Sequence, residues 1–180
     1  MVPETPQKPP KSSLDTAANI AIIVVCAIAA VVLIRNQFFP PRPGPPPGSP
    51  AMVEKGDRLE PIKAVLPAGT NRALVVAVSP TCHFCNESMG FYKQLLDERN
   101  QKSSQVKFIA AVPTDEAKAE EAQKFATAGA QPDDLVRLDF SAIKVAGTPT
   151  LLLVDNSGKV LDVWVGKLDE GGQKEVLKAL

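Results

Sequence analysis

Histidine, tryptophan and tyrosine each occur once in this 180-residue chain, and cysteine occurs three times. These scarcities exclude several classes of protein. A closed structural zinc site takes four nitrogen or sulfur ligands. Cys82, His83 and Cys85 supply three, and the chain has no second cysteine pair and no other histidine. A copper site on the same three residues meets a directional obstacle, because neighbouring side chains on a helix point different ways. Three cysteines are also too few for a disulfide-stapled scaffold, which makes the Cys82/Cys85 pair a better candidate for a site than for a staple. Charge of neither sign predominates, with 20 basic and 20 acidic residues, so no basic field argues for nucleic acid. Aromatics are only 5% of the chain, yet apolar residues reach 44%. That is enough for the core of one ordinary domain with accessory segments.

What is present divides into four stretches: a short tail over residues 1–16, an apolar segment over 17–35, a proline-rich stretch over 36–51 and a globular pattern over 52–180. The segment NIAIIVVCAIAAVVLI, with Ala17 and Ala18 before it, runs almost without a polar residue to Arg35. At 1.5 Å per residue its 18 residues reach roughly 27 Å, the thickness of a bilayer's hydrocarbon core. It lacks the polar face that a core helix of a soluble domain retains. Its small residues Ala27, Ala29 and Ala30 lie inside the apolar run instead of beyond it, which predicts an uncleaved anchor rather than a removed signal. Cys26 then reads as a small apolar residue facing lipid. Lys8 and Lys11 on one side balance Arg35 and Arg42 on the other, so flanking charge does not orient the span. Seven of the eleven residues from Pro40 to Pro50 are proline. That composition favours an extended, semi-rigid spacer of roughly 34 Å.

Beyond Met52 the periodicities are those of a mixed α/β domain. Arg72 to Val78 is a short apolar run suited to a buried strand, and the spacing of Phe84, Met89, Tyr92, Leu95 and Leu96 predicts a helix from Cys82 to Arg99. Gln105 to Pro113 is a second strand, Asp115 to Thr127 a helix opened by acidic residues, and LVRLD a third strand. TLLLVD and KVLDVWVG, joined by NSG, form a hairpin, and Asp169 to Leu180 closes the chain as a helix. This order describes a mixed central sheet flanked by helices.

The stretch SPTCHFC, Ser79 to Cys85, falls where the first strand hands over to a helix. Cys82 lies close to the helix N-terminus, where unpaired amides favour a thiolate over a thiol. Cys85 is one turn on, on the same face and at a spacing that an intramolecular disulfide can close. His83 is either a further stabiliser of the thiolate or a solvent-facing ring. Phe84 is either a packing residue or an exposed contact for clients. Later, VAGTPTLLLVD places Pro149 directly before an apolar strand, where it removes a ladder donor and suggests a tight turn.

SPTCHFC at a strand-to-helix junction, GTPT some 65 residues later, the hairpin LLLVDNSGKVLDVWVG and a terminal helix together resemble the thioredoxin fold, and within it the membrane-anchored, exported thiol–disulfide oxidoreductases. The resemblance covers roughly Pro61 to Leu180. It implies that Cys82 is the exposed nucleophile and Cys85 the resolving cysteine. It further implies that Pro149 is cis and packs beside the disulfide, that Thr148 offers its backbone to an extended client, and that Gly166 shapes the same surface. No cofactor or metal is implied beyond a redox-active Cys82–Cys85 disulfide. The partners implied are cysteine-containing protein clients and a membrane redox protein that resets the pair. Residues 17–35 would sit in the bilayer, with the C-terminal domain on the outer, periplasmic or extracytoplasmic side.

Four residues depart from thioredoxin itself. Thr81 stands where thioredoxin has Trp, His83-Phe84 where it has Gly-Pro, and Val76 where it buries an Asp that helps move protons. A cytosolic disulfide reductase is therefore a poor match, and Glu87 is the nearby acid available to replace the missing carboxylate. The resulting expectation is thiol–disulfide exchange with exported proteins, as a reductase of cytochrome-maturation type. Disulfide-forming oxidase is the first alternative, and a non-catalytic client-binding module the second.

Overall fold

The computed structural model describes residues 22–30 and 52–180. Residues 22–30 are helical, and Ile22, Ile23, Val24, Val25 and Ile28 are all exposed. No helix among the described residues is long and apolar enough to cross a membrane. The rest of the expected 17–35 span, the 1–16 tail and the 36–51 spacer lie outside the described residues.

Residues 52–180 build a five-stranded sheet with helices on both faces. In chain order the elements are α1 (Glu60–Val65), β1 (Arg72–Ala77), α2 (His83–Glu87), α3 (Met89–Gln101), β2 (Lys107–Val112), α4 (Asp115–Thr127), β3 (Asp134–Arg137), β4 (Thr150–Asp155), β5 (Val160–Val165) and α5 (Glu170–Ala179). The sheet order is β3-β2-β1-β4-β5. β1, β2 and β3 run parallel, whereas β4 is antiparallel to both β1 and β5. β1 is therefore central and flanked on both sides, which explains its unbroken apolar sequence ALVVA.

Side chains of a strand alternate between faces, and β1 divides accordingly. Leu74, Val76 and Val78 join a core with Cys85, Tyr92, Leu95, Phe108, Phe125 and Trp164. Ala73, Val75 and Ala77 join an aliphatic core with Leu59, Ile62, Ile109, Ile143 and Leu152. In the first core Tyr92, Phe108 and Phe125 form a triangle with ring centroids 6.0 to 6.3 Å apart. Each fully buried ring contributes on the order of 1.5–3 kcal/mol of apolar transfer. The scarce aromatics are thus concentrated where α3 and α4 meet the sheet.

The strands and two of the helices fall close to their expected bounds, with two differences. The helix expected from Cys82 to Arg99 is two helices meeting at Ser88. Its amide is shared between the carbonyls of Phe84 and Cys85, and its hydroxyl donates to Phe84 O at 2.8 Å. A serine hydroxyl that back-bonds to the carbonyl four residues earlier competes with the helical ladder and bends it. The second difference is α1, which the periodicity did not reveal because its six residues bury only Ile62. The Asp155–Lys159 turn holds α1 against the hairpin: Leu59 N–H donates to Gly158 O at 2.9 Å. Gly158 has φ +75°, and a Cβ there would meet Leu59 O at 2.8 Å.

Candidate functional site

β1 ends at Ala77, which pairs with Thr150 at the start of β4, and Thr150 pairs with Val165 at the end of β5. The loops leaving or entering these three strands consequently emerge at one end of the sheet. They carry Ser79–Cys82, Thr148-Pro149 and Gly166. The Thr148–Pro149 peptide is cis, Pro149 is buried and Thr148 half-buried. Gly166 adopts φ +81° and donates its N–H to Pro149 O at 2.7 Å. The topology thus gathers the cysteine loop, the proline turn and the glycine turn from segments scattered over nearly ninety residues of chain.

Cys82 and Cys85 form a disulfide with Cα atoms 5.3 Å apart. Their surroundings differ sharply. Cys82 is half-buried at the N-cap of α2, while Cys85 is fully buried in the aromatic core. The Cys85 N–H donates to Cys82 Sγ at 3.1 Å, so the backbone amide freed at the helix start is aimed at the sulfur that gains charge on reduction. An incoming thiolate meets Cys82 first, because Cys85 has no exposed surface.

His83 is 77% exposed and its Nε2 is 3.1 Å from Glu87 Oε1. The other oxygen of Glu87 accepts from Lys167 Nζ at 2.8 Å. The Lys167 hydrogen bond, assisted by the charges of Lys167 and His83, holds the Glu87 carboxyl below its ordinary range. Val76, which stands where thioredoxin buries an Asp, is itself fully buried and apolar. Phe84 is 54% exposed, its ring 5.7 Å from that of His83. Phe84 is thus exposed at the surface rather than packed into the core, and Val165 at the same end of the sheet is also half exposed. Among the described residues no group of three or more His, Cys, Asp or Glu is arranged to hold a metal.

Three side chains near this loop were not singled out from the sequence. Glu121 on α4 is fully buried, and burial pushes its pKa up against the opposing pull of Lys124. One oxygen meets Lys124 Nζ at 3.2 Å, while Oε2 has no hydrogen-bond partner. Tyr92, on α3, is buried with its hydroxyl unpartnered, and burial raises its pKa beyond the usual phenol value, with the Glu121 charge adding to the effect. Lys124 itself donates to Pro80 O at 2.7 Å. A signal for Glu121 existed in the spacing: Ala117, Glu121 and Phe125 follow one another at four-residue intervals, so Glu121 stands in the buried stripe of an otherwise charged helix.

A thioredoxin-like domain model matches residues 60–180, two thirds of the chain and all of the sheet. The chain belongs to the thioredoxin-like domain family. Its Cys82-x-x-Cys85 pair at the start of α2 is the equipment of a thiol–disulfide oxidoreductase in this thioredoxin-like fold. Among solved structures, a putative thiol:disulfide interchange protein DsbE from Chlorobium tepidum is 20% identical with a TM-score of 0.53, the alignment covering 71% of this chain and 98% of that one. A secreted Mycobacterium tuberculosis disulfide oxidoreductase is 13% identical with a TM-score of 0.47, over 62% of this chain and 83% of its own. StoA from Bacillus subtilis is 15% identical with a TM-score of 0.47, over 61% and 84% respectively. No curated protein matches the sequence.

Proposed function

We propose that this protein is a membrane-tethered thiol–disulfide oxidoreductase that exchanges disulfides with exported, cysteine-containing proteins, acting as a reductase. The observation that carries the reading is the asymmetry of the pair: an accessible Cys82 at a helix start, bonded to a Cys85 with no exposed surface. In the reduced state the Cys82 thiolate attacks one sulfur of a client disulfide. A mixed disulfide forms, and the displaced client thiolate takes a proton from solvent. Cys85 then loses its proton and attacks Cys82 Sγ, closing the Cys82–Cys85 disulfide and releasing the second client thiolate. Two electrons pass from the dithiol to the client, and a membrane dithiol partner returns them. Exposed Phe84 and Val165, with Thr148 at the same end of the sheet, offer apolar and backbone contacts to an extended client.

The apolar stretch over residues 17–35 supports an anchor, and the prolines that follow support a spacer that keeps the domain near membrane clients and its reductant. Exported clients carry their disulfides on the oxidising side, which favours an outward-facing domain. A second reading, disulfide-forming oxidase, is favoured by the amide aimed at Cys82 Sγ, because stabilising the reduced form makes a pair more oxidising.

The test is trapping and potentiometry on the full chain in detergent. Cys85→Ser is expected to accumulate mixed disulfides with client proteins that Cys82→Ser does not. Equal trapping by both variants removes the assigned roles. Equilibration with glutathione buffers decides direction: a potential near about −270 mV supports the reductase, and one near about −120 mV replaces it by the oxidase.

A further inference from the structure

Lys124 lies 44 residues from Pro80 in sequence, yet its ammonium reaches the loop that carries the disulfide. A solvent-facing lysine normally extends its head into water. Here the head is held by three oxygens: Pro80 O at 2.7 Å, Glu120 Oε1 at 2.9 Å and Glu121 Oε1 at 3.2 Å. Glu121 is the unusual member. A carboxylate with no exposed surface and one unpartnered oxygen is costly to bury, and its single bonded oxygen is spent on Lys124. Deleting that carboxylate in favour of a hydrophobic side chain would suit the aromatic core better, so its presence calls for a role outside packing.

The loop explains what the strut holds. Pro80 has no amide to donate, and the loop's own backbone contact is the turn from Cys82 N–H to Ser79 O at 2.9 Å. The Pro80 carbonyl is tied instead to a cation. Pro80 is two residues from Cys82, a span of at most about 7 Å along the chain, so a fixed Pro80 carbonyl constrains the backbone that enters the Cys82 N-cap. Burial alone would depress the Lys124 pKa, but hydrogen bonds and charges from both glutamates outweigh it and raise it, so the side chain stays a cation.

We propose that Lys124 is a positioning residue for thiol–disulfide exchange, clamping the Ser79–Cys82 loop through the Pro80 carbonyl and so keeping Cys82 Sγ where the Cys85 amide stabilises its thiolate, with buried Glu121 holding the lysine in place. This rests on the exchange reaction proposed above. Titratable or charged groups around the strut are Tyr92 from α3 and Glu120 from α4. His83, Glu87 and Lys167 form a separate exposed group.

The test uses the full chain in detergent and reads the pH profile of Cys82 alkylation by iodoacetamide together with the equilibrium against glutathione. Lys124→Met is expected to move the thiolate profile to higher pH by about half a unit. Cys82 would then alkylate about threefold more slowly at pH 6, and the glutathione equilibrium would shift about threefold toward the disulfide. Lys124→Arg should restore most of both. If Lys124→Met unfolds because it strands the Glu121 charge, the double variant Glu121→Gln/Lys124→Met removes both charges and should show the same slowing in a folded protein. A wild-type profile and equilibrium in whichever variant is folded, even with a lowered melting temperature, overturns the proposal and leaves Lys124 merely structural. A wild-type protein whose reduced Cys82 does not alkylate overturns the exchange reading itself.

Discussion

The two faces of the sheet are built from different materials. Against α1 the buried core is aliphatic, with Ile62, Val75, Ile109, Ile143 and Leu152 among its members and Phe140 packed only at its edge. Against α3 and α4 the core holds Cys85 and the Tyr92, Phe108 and Phe125 rings, with buried Glu121 on α4 beside Tyr92. The first face can only stabilise, because it contains no group that changes charge. The second places ionisable groups in low dielectric, where each charge is felt strongly. One sheet thus confines its buried ionisable groups to the face that carries the cysteines.

That division can be broken experimentally. The largest effect is expected at Ile109, fully buried on the aliphatic face: Ile109→Ala should lower the unfolding free energy by about 2–5 kcal/mol. The pH profile of Cys82 alkylation should not move, and a shifted profile would show that the faces are not independent. A smaller loss, about 1–3 kcal/mol, is expected for Gly158→Ala, which combines a positive φ with a Cβ pressed on Leu59 O. Denaturant melts would measure both.

On the redox face the signature is in pH. Burial raises the Glu121 pKa above its ordinary 4.5, so the folded state holds that proton more tightly than the unfolded state does. Its contribution to stability is fully present below about pH 4.5 and is lost as the pH rises through the folded value. Glu121→Gln should flatten stability above about pH 4.5. The carboxyls of Asp57, Asp139 and Asp155 have folded values below their ordinary 3.8, so their contributions are lost at lower pH, as acid is added. An unchanged slope above pH 4.5 in Glu121→Gln would show that Glu121 is not the titrating group.

Tyr92→Phe deletes a hydroxyl that has no partner and should leave stability within about 1 kcal/mol of wild type or raise it. A larger loss would place an unseen hydrogen bond on that oxygen. The smallest effect is expected from His83→Ala: the ring is largely exposed and its Nε2 is engaged by Glu87, so the Cys82 alkylation profile should remain that of wild type. A shift there would return His83 to the role of thiolate stabiliser.

Much of this was legible in the linear chain because it depends on neighbours in sequence. Strand alternation, the acidic opening of Asp115–Thr127, the NSG turn and a disulfide between residues three apart all follow from local geometry. The bend at Ser88 was not legible, since Ser, Met and Gly at that junction do not disturb the apolar spacing; it arises from one hydroxyl choosing a carbonyl. Six-residue α1 was too short to show a period.

The sequence by itself determined the cysteine pair, its place at a strand-to-helix junction and an apolar stretch of spanning length, because those rest on residue type and short-range spacing. Only the tertiary structure decided which cysteine is accessible, that Glu87 is held between Lys167 and His83, and that a lysine from α4 grips the loop before Cys82. Those facts bring together residues 44 to 80 positions apart, and the packing of helices on a sheet, not any local preference, sets which charges become neighbours.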